Sequence, residues 1–244
     1  MKTYLLALFL LIACQSWAQS TTTTTKSKID QNTPVRDESG ILLPYVVWQK
    51  MVQSGDFGLQ RPDPAVAEYQ VYKLSTEERQ KLADRKKAYA ASMPRPRASD
   101  SFVEGRKFDG EKITDMNGNK FDLRNADGKI YVLNFWFINC PPCKKEIPEL
   151  NEMVAKYKDN KNVVFLAIAL DNYRDLKDFL ETFQFNYHIV DDGRYFADKY
   201  KVKGFPTHVV VGRDGLIKFS TLGLGANTVY WVDKTITEQL ASGS

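Results

Sequence analysis

The chain has 244 residues, 43% hydrophobic and 26% charged, with a formal net charge of +4. That length and balance fit one ordinary domain plus additional segments. The positive excess is small and evenly spread, with no Lys/Arg run interleaved with aromatics, so no nucleic-acid partner is expected.

The first residues read as an export signal. Lys2 is the charged start, and Leu5 to Ala13 is an apolar core too short to span a bilayer. Two processing sites compete. Ser16-Trp17-Ala18 suits cleavage after Ala18 and a soluble chain beginning at Gln19, with residues 1–18 as signal peptide. Leu11-Ile12-Ala13-Cys14 resembles a bacterial lipobox, which would make 1–13 the signal and leave a lipid anchor on Cys14. Either removes Lys2, the only charge of the leader, leaving +3 (4 − 1). Of the three cysteines, only Cys140 and Cys143 then remain as thiols of the folded part. The expected location is extracytoplasmic, the periplasm or cell envelope, where disulfides persist.

Residues 19–98 read as a tether and a partly helical extension. Thr21 to Thr25 is low-complexity. Ile29 to about Tyr72 is mixed in character: Asp37-Glu38-Ser39-Gly40 is a turn, Tyr45-Val46-Val47-Trp48 suits a strand or a short helix, and Arg61-Pro62-Asp63-Pro64 breaks the chain. Ser75-Thr76-Glu77-Glu78 forms a capping box opening a charged helix to about Ala91, whose apolar face, Leu82 and Tyr89, is thin. Met93-Pro94-Arg95-Pro96-Arg97 reads as a semi-extended linker.

Residues 99–244 are regular. Lys112–Asp115 and Lys120–Leu123, joined across Asn117-Gly118, predict a β-hairpin. Tyr131 to Phe137 predicts a strand, followed by a helix to about Tyr157 with Ile147, Leu150, Met153 and Val154 at helical spacing. Val163 to Leu170 is nearly unbroken apolar, as in a central strand buried on both faces. Asn172 caps a helix carrying Leu176, Phe179 and Leu180. A short strand at 187–190 and a helical turn at 195–200 follow. Thr207–Val211 and Leu216–Leu222 flank Gly212-Arg213-Asp214-Gly215 as an antiparallel hairpin, and a final helix aligns Val229, Val232, Ile236 and Leu240. The expected fold class is α/β: a sandwich with a central mixed sheet flanked by helices.

Cys140-Pro141-Pro142-Cys143 sits where the first long strand gives way to that first helix. Two cysteines so spaced can close a small disulfide ring, and the unpaired N–H groups and helix dipole at that end favour a thiolate. Pro141 and Pro142 suit the first helical positions and remove two donors, leaving chiefly the Cys143 N–H for the Cys140 sulfur. A less stabilised thiolate means a more stable disulfide and a reductant-like potential. Cys140 is expected to be the exposed nucleophile and Cys143 the shielded resolving thiol. Glu146, the i,i+3 neighbour of Cys143, is either a base for that thiol or a first-turn acid complementing the dipole. Pro206, entering a strand, marks an edge or loop end by base rates. Its sharper reading is a loop offering the Phe205 backbone to a peptide.

Residues 102–242 resemble the thioredoxin-like thiol–disulfide oxidoreductases of the bacterial envelope, the TlpA/ResA type. The matching stretches are Gly128-Lys129, Asn134 to Leu150 and Gly204 to Ile217. The resemblance implies a thioredoxin-like fold, a redox-active Cys140–Cys143 pair, a cis bond before Pro206 and a functional Glu146. The expected substrate groove is Trp136, Pro141, Pro142, Phe205 and Pro206, with Trp136 equally readable as an ordinary core tryptophan. The resemblance implies no bound cofactor and no metal. The partners it implies are protein disulfides, apocytochrome c among them, and a membrane thiol carrier as electron donor. Asn134 stands where cytosolic thioredoxins carry a buried aspartate, so proton handling falls to Glu146 and water. The extension has no counterpart in minimal relatives, so partner choice is expected there. Three alternatives remain: a copper-binding chaperone, which needs a histidine beside the sulfurs (His188 and His208 both lie in strand candidates); a peroxiredoxin-like peroxidase, which needs a Thr/Arg pocket; and a binding module with a structural disulfide, which would staple very little chain.

Overall fold

The structure is a computed structural model and describes residues 29–242. The competing cleavage sites, Cys14 and the threonine tract lie outside the described residues. The chain divides between Gln80 and Lys81 into two compact units.

The first unit contains a three-stranded sheet ordered β1–β3–β2, built from β1 (Val35–Arg36), β2 (Phe57–Gln60) and β3 (Tyr69–Lys73). β1 pairs parallel and β2 antiparallel with β3. Tyr45 opens a helix, α1 (Tyr45–Gln53), rather than a strand. The helical spacing carries Trp48 inward onto Val35 and Val71, with the Tyr45 ring edge-on at 5.1 Å. The capping box forms as the sequence predicts. Glu78 N–H donates to Ser75 Oγ at 3.2 Å, and Glu78 Oε2 accepts from Ser75 N–H at 2.8 Å, starting α2 (Thr76–Ser92).

The second unit is the predicted α/β sandwich. Its hairpin is β4 (Lys112–Thr114) with β5 (Lys120–Asp122). Its main elements are β6 (Ile130–Trp136), α3 (Pro141–Tyr157), β7 (Val163–Ala169), α4 (Tyr173–Thr182), β8 (His188–Val190), α5 (Arg194–Lys199), β9 (Thr207–Val211), β10 (Ile217–Leu222) and α6 (Thr228–Ala241). The five-stranded sheet runs β10–β9–β6–β7–β8, with β6, β7 and β8 parallel and β9 and β10 antiparallel. β6 is central and wholly buried, so it needs apolar residues on both faces. Ile130, Val132 and Trp136 pack with Ile147 and Leu150 of α3 and Val232 and Ile236 of α6. The alternate residues, Tyr131, Leu133 and Phe135, pack on the other face with Phe102, Phe108 and Ile168. The Phe102 and Phe135 rings stack at 5.5 Å.

Residues 93–101 are not a free linker. The Arg97 carbonyl accepts from Leu222 N–H and Thr221 Oγ1, and Asn227 Nδ2 donates to the carbonyls of Ala90 and Pro94. The Arg95 guanidinium lies 5.1 Å from the Trp231 ring centre and pairs with Glu104. Prolines at 94 and 96 have no N–H to satisfy, so residues 94–97 dock through carbonyls and this cation, while Ser99 N–H donates to Ser220 Oγ and Ser101 Oγ to the Lys201 carbonyl.

Gly193 touches the end of the central parallel pair. Its N–H donates to the Ala169 carbonyl at 2.7 Å, and a Cβ there would lie 2.7 Å from that oxygen and 2.4 Å from Ile168 Cγ2. Backbone cannot yield as a side chain does. Gly193→Ala is therefore expected to lose roughly 1–3 kcal/mol in chemical denaturation, and an unchanged midpoint would contradict the close approach.

Candidate active site

Pro141 and Pro142 occupy the first two positions of α3, and Cys140 is its N-cap, with φ −106° and ψ 98°. Proline suits these positions because its fixed φ is helical and its missing N–H would be unpaired there. The first available donor is the Cys143 N–H, which reaches Cys140 Sγ at 3.3 Å. Cys140 and Cys143 are joined by a disulfide, with Cα atoms 5.3 Å apart. The approach to the ring is fixed from both sides: Leu170 N–H donates to the Trp136 carbonyl, Ile138 N–H to Asp171 Oδ2 at 2.8 Å, and Cys140 N–H to the Phe137 carbonyl.

Two expectations need correction. Cys140 is not exposed: it is 2% accessible and Cys143 1%. As N-cap, Cys140 turns its sulfur into the first helical turn, where bonding to Cys143 draws it into the core cluster against which Phe137, Ile138 and Phe205 pack. Pro141 beside it is exposed. Trp136 does not line a surface groove, because it is fully buried, with Phe185 edge-on at 5.2 Å and Phe179 at 5.8 Å. Position 136 shares the β6 face that packs against α3 and α4. Its neighbour Phe137, one residue on, emerges from the sheet and meets the Phe205 ring at 5.4 Å. Pro142 and Phe205 are half-buried and Pro206 is buried. The Phe205–Pro206 bond is cis. The Pro206 carbonyl accepts from Gly223 N–H at 2.7 Å, anchoring the loop to the end of β10.

Glu146 is 3% exposed, and Asn134 and His208 are 1% and 0%. Glu146 Oε1 contacts His208 Nε2 at 2.7 Å and accepts from Asn134 Nδ2 at 3.3 Å. The carboxyl is therefore inside the molecule and hydrogen-bonded, not a solvent-facing complement to the dipole. Burial, and then the Glu146 carboxylate, push the Tyr187 phenol well above its ordinary range, so Tyr187 stands protonated near this group. Nothing in the local sequence of His208 marks it as a partner of Glu146. A histidine in a strand more often packs passively, and only the register of β9 against β6 brings it to α3.

The second histidine serves the hairpin. His188 Nδ1 lies 2.8 Å from Asp115 Oδ2, and the same carboxylate accepts from Asn117 N–H, Asn119 N–H and Asn119 Nδ2. Burial pushes that carboxyl up, but the hydrogen bonds of Asn119, His188 and the turn backbone outweigh it and hold it below its usual range. Among the described residues, no group of three or more His, Cys, Asp or Glu side chains is arranged to hold a metal ion.

Residues 105–220 match the AhpC/TSA family. A crystal structure of a Chlorobium tepidum protein, described as a thiol:disulfide interchange protein DsbE, superposes with a TM-score of 0.51 at 26% identity, covering 57% of this chain and 99% of that one. The second unit has a thioredoxin-like fold and is similar to the AhpC/TSA family over residues 105–220. This thioredoxin-like domain is 33% identical over 113 residues to "Thiol-disulfide oxidoreductase ResA" of Bacillus cereus, covering 46% of this chain and 65% of that protein. It is 27% identical to "Thioredoxin-like protein YneN" of Bacillus subtilis over 117 residues, 47% of this chain and 69% of that protein. Thus the chain spans just under two thirds of the length of the first relative. The family match spans the disulfide, Glu146 and Pro206.

Proposed function

We propose that the chain is an extracytoplasmic thiol–disulfide oxidoreductase that reduces disulfides of other envelope proteins. Cys140 attacks, Cys143 resolves, Glu146 takes the Cys143 proton, and Phe137, Pro142 and the Phe205–Pro206 loop border the ring where a peptide docks. The observation that carries this reading is the Cys140–Cys143 bond at the N-terminus of α3 with one backbone N–H on the Cys140 sulfur. Likeness to proteins named for thiol–disulfide exchange supports the reaction class. The export-type leader supports the location, and no described helix is long and apolar enough to cross a membrane.

The reductant direction follows from the prolines. Each backbone donor lost from the sulfur leaves the thiolate less stable, and the disulfide correspondingly harder to reduce. Electrons then come from a membrane thiol carrier, and candidate substrates are envelope proteins whose cysteines must be kept reduced, apocytochrome c among them. A peroxidase would want a hydroxyl or guanidinium on the attacking sulfur, whereas the Thr207 hydroxyl donates to the Gly204 carbonyl at 2.8 Å.

Titrating the couple against glutathione, together with an insulin-reduction assay, tests this reading. The expected result is catalysed insulin reduction and a potential well below that of strong oxidants. A value near about −120 mV would reverse the direction. No exchange with any protein disulfide would remove the activity.

A further inference from the structure

Strand register brings two polar residues to the carboxyl behind the dithiol. Asn134 and His208 are directly opposed on β6 and β9, so their side chains share a face, the one covered by α3. Both contact the same oxygen of Glu146, Oε1, while Oε2 has no hydrogen-bond partner, and neither does His208 Nδ1. One carboxyl oxygen is thus held twice and the other is left available. The titratable groups near Glu146 are His208 from β9 and Tyr187 from the segment before β8, and Cys143 precedes it by three residues on α3. On α6, which also packs against α3, Asp233 is engaged by Lys156 and Tyr157.

We propose that His208 is a positioning residue for the dithiol chemistry: its Nε2–H holds Glu146 Oε1, so that Oε2 receives the proton of Cys143. This rests on the oxidoreductase reading above and adds a residue to it. In the reaction, the Cys140 thiolate attacks a target disulfide; the target S–S bond breaks, a mixed disulfide forms and one target thiolate leaves. Cys143 S–H then gives its proton to Oε2, its sulfur bonds to Cys140, and the second target thiolate leaves. Two electrons pass from the dithiol to the target, which takes up two protons from water and Glu146. Without the Nε2–H, the carboxylate keeps only the longer Asn134 contact at 3.3 Å, and a misplaced base transfers protons slowly.

The two-step release of thionitrobenzoate from 5,5′-dithiobis(2-nitrobenzoate) by the reduced full-length chain separates attack from resolution. His208→Ala is expected to leave the first phase unchanged and slow the second by about tenfold or more near neutral pH. That deficit should shrink as pH rises and Cys143 ionises unaided. His208→Gln, which keeps an N–H donor, should recover most of the second phase. A His208→Ala second phase that follows wild type at every pH overturns the proposal, as does an equal fall of both phases in both variants. A wild-type chain with no second phase would instead overturn the underlying dithiol reading. Nitrogen NMR of the unmutated oxidised chain tests the same point without relying on a variant's folding. A proton on Nε2 is expected, and an imidazole protonated only at Nδ1 would overturn the assignment.

Discussion

Replacing Cys143 with serine is expected to turn the chain into a trap. Cys140 would still attack, but nothing on the helix would displace the captured partner, so covalent adducts should accumulate and run as reducible complexes. Cys140→Ser should drop insulin reduction to the uncatalysed rate, because a hydroxyl cannot enter thiol–disulfide exchange. This asymmetry follows from the helix start: the Cys143 N–H reaches the Cys140 sulfur, while Cys143 points towards Ile147 and Leu150 in the core. In the disulfide form neither cysteine is more than 2% accessible. Capture by Cys143→Ser therefore also tests whether opening the bond lets the Cys140 sulfur reach the surface beside Pro141. Mass spectrometry of the adducts would name the substrates. Adducts formed equally by both single variants would refute the assignment of roles.

What was legible in the sequence was what local chemistry determines. Paired prolines after Cys140, with Ile147, Leu150 and Met153 at helical spacing, define α3 and put the dithiol at its start. Asn172 accepts from Asp175 N–H as the cap it resembles, and Asn117-Gly118 turns the β4–β5 hairpin. What stayed hidden depends on pairing between distant segments. Glu146 and His208 are 62 positions apart, and nothing in either neighbourhood specifies the other until β9 takes its register on β6. The sheet of the first unit is built from strands of two to five residues, too short and too exposed to carry a clear alternation, with Pro62 and Pro64 between two of them. Residues 93–101 have no periodicity because scattered polar bonds, of the Arg97 and Pro94 carbonyls, Ser99 N–H and Ser101 Oγ, and the Arg95 cation hold them. The burial of Cys140 follows from its capping geometry, which spacing does not reveal.

Glu146→Gln separates the chemistry of this buried carboxyl from its packing. Glutamine preserves the volume and retains an oxygen for the contacts of His208 and Asn134, so a loss of less than about 1.5 kcal/mol is expected, as for other volume-conserving core changes. Its amide cannot accept a proton from Cys143. Resolution of the mixed disulfide should slow by about 10²- to 10⁴-fold, the usual contribution of a positioned base, with the initial attack by Cys140 untouched. The remaining rate should rise about tenfold per pH unit until the thiol ionises by itself, in the neighbourhood of 8.5 for an ordinary cysteine. Glu146→Leu makes the complementary case. It removes the base and also leaves His208 Nε2 and Asn134 Nδ2 without an acceptor, each worth roughly 1–3 kcal/mol when buried, so it should unfold well before the glutamine variant as well as resolve slowly. A glutamine variant that resolved at the wild-type rate across this pH range would reduce Glu146 to a packing residue, and Cys143 would then have to lose its proton directly to water.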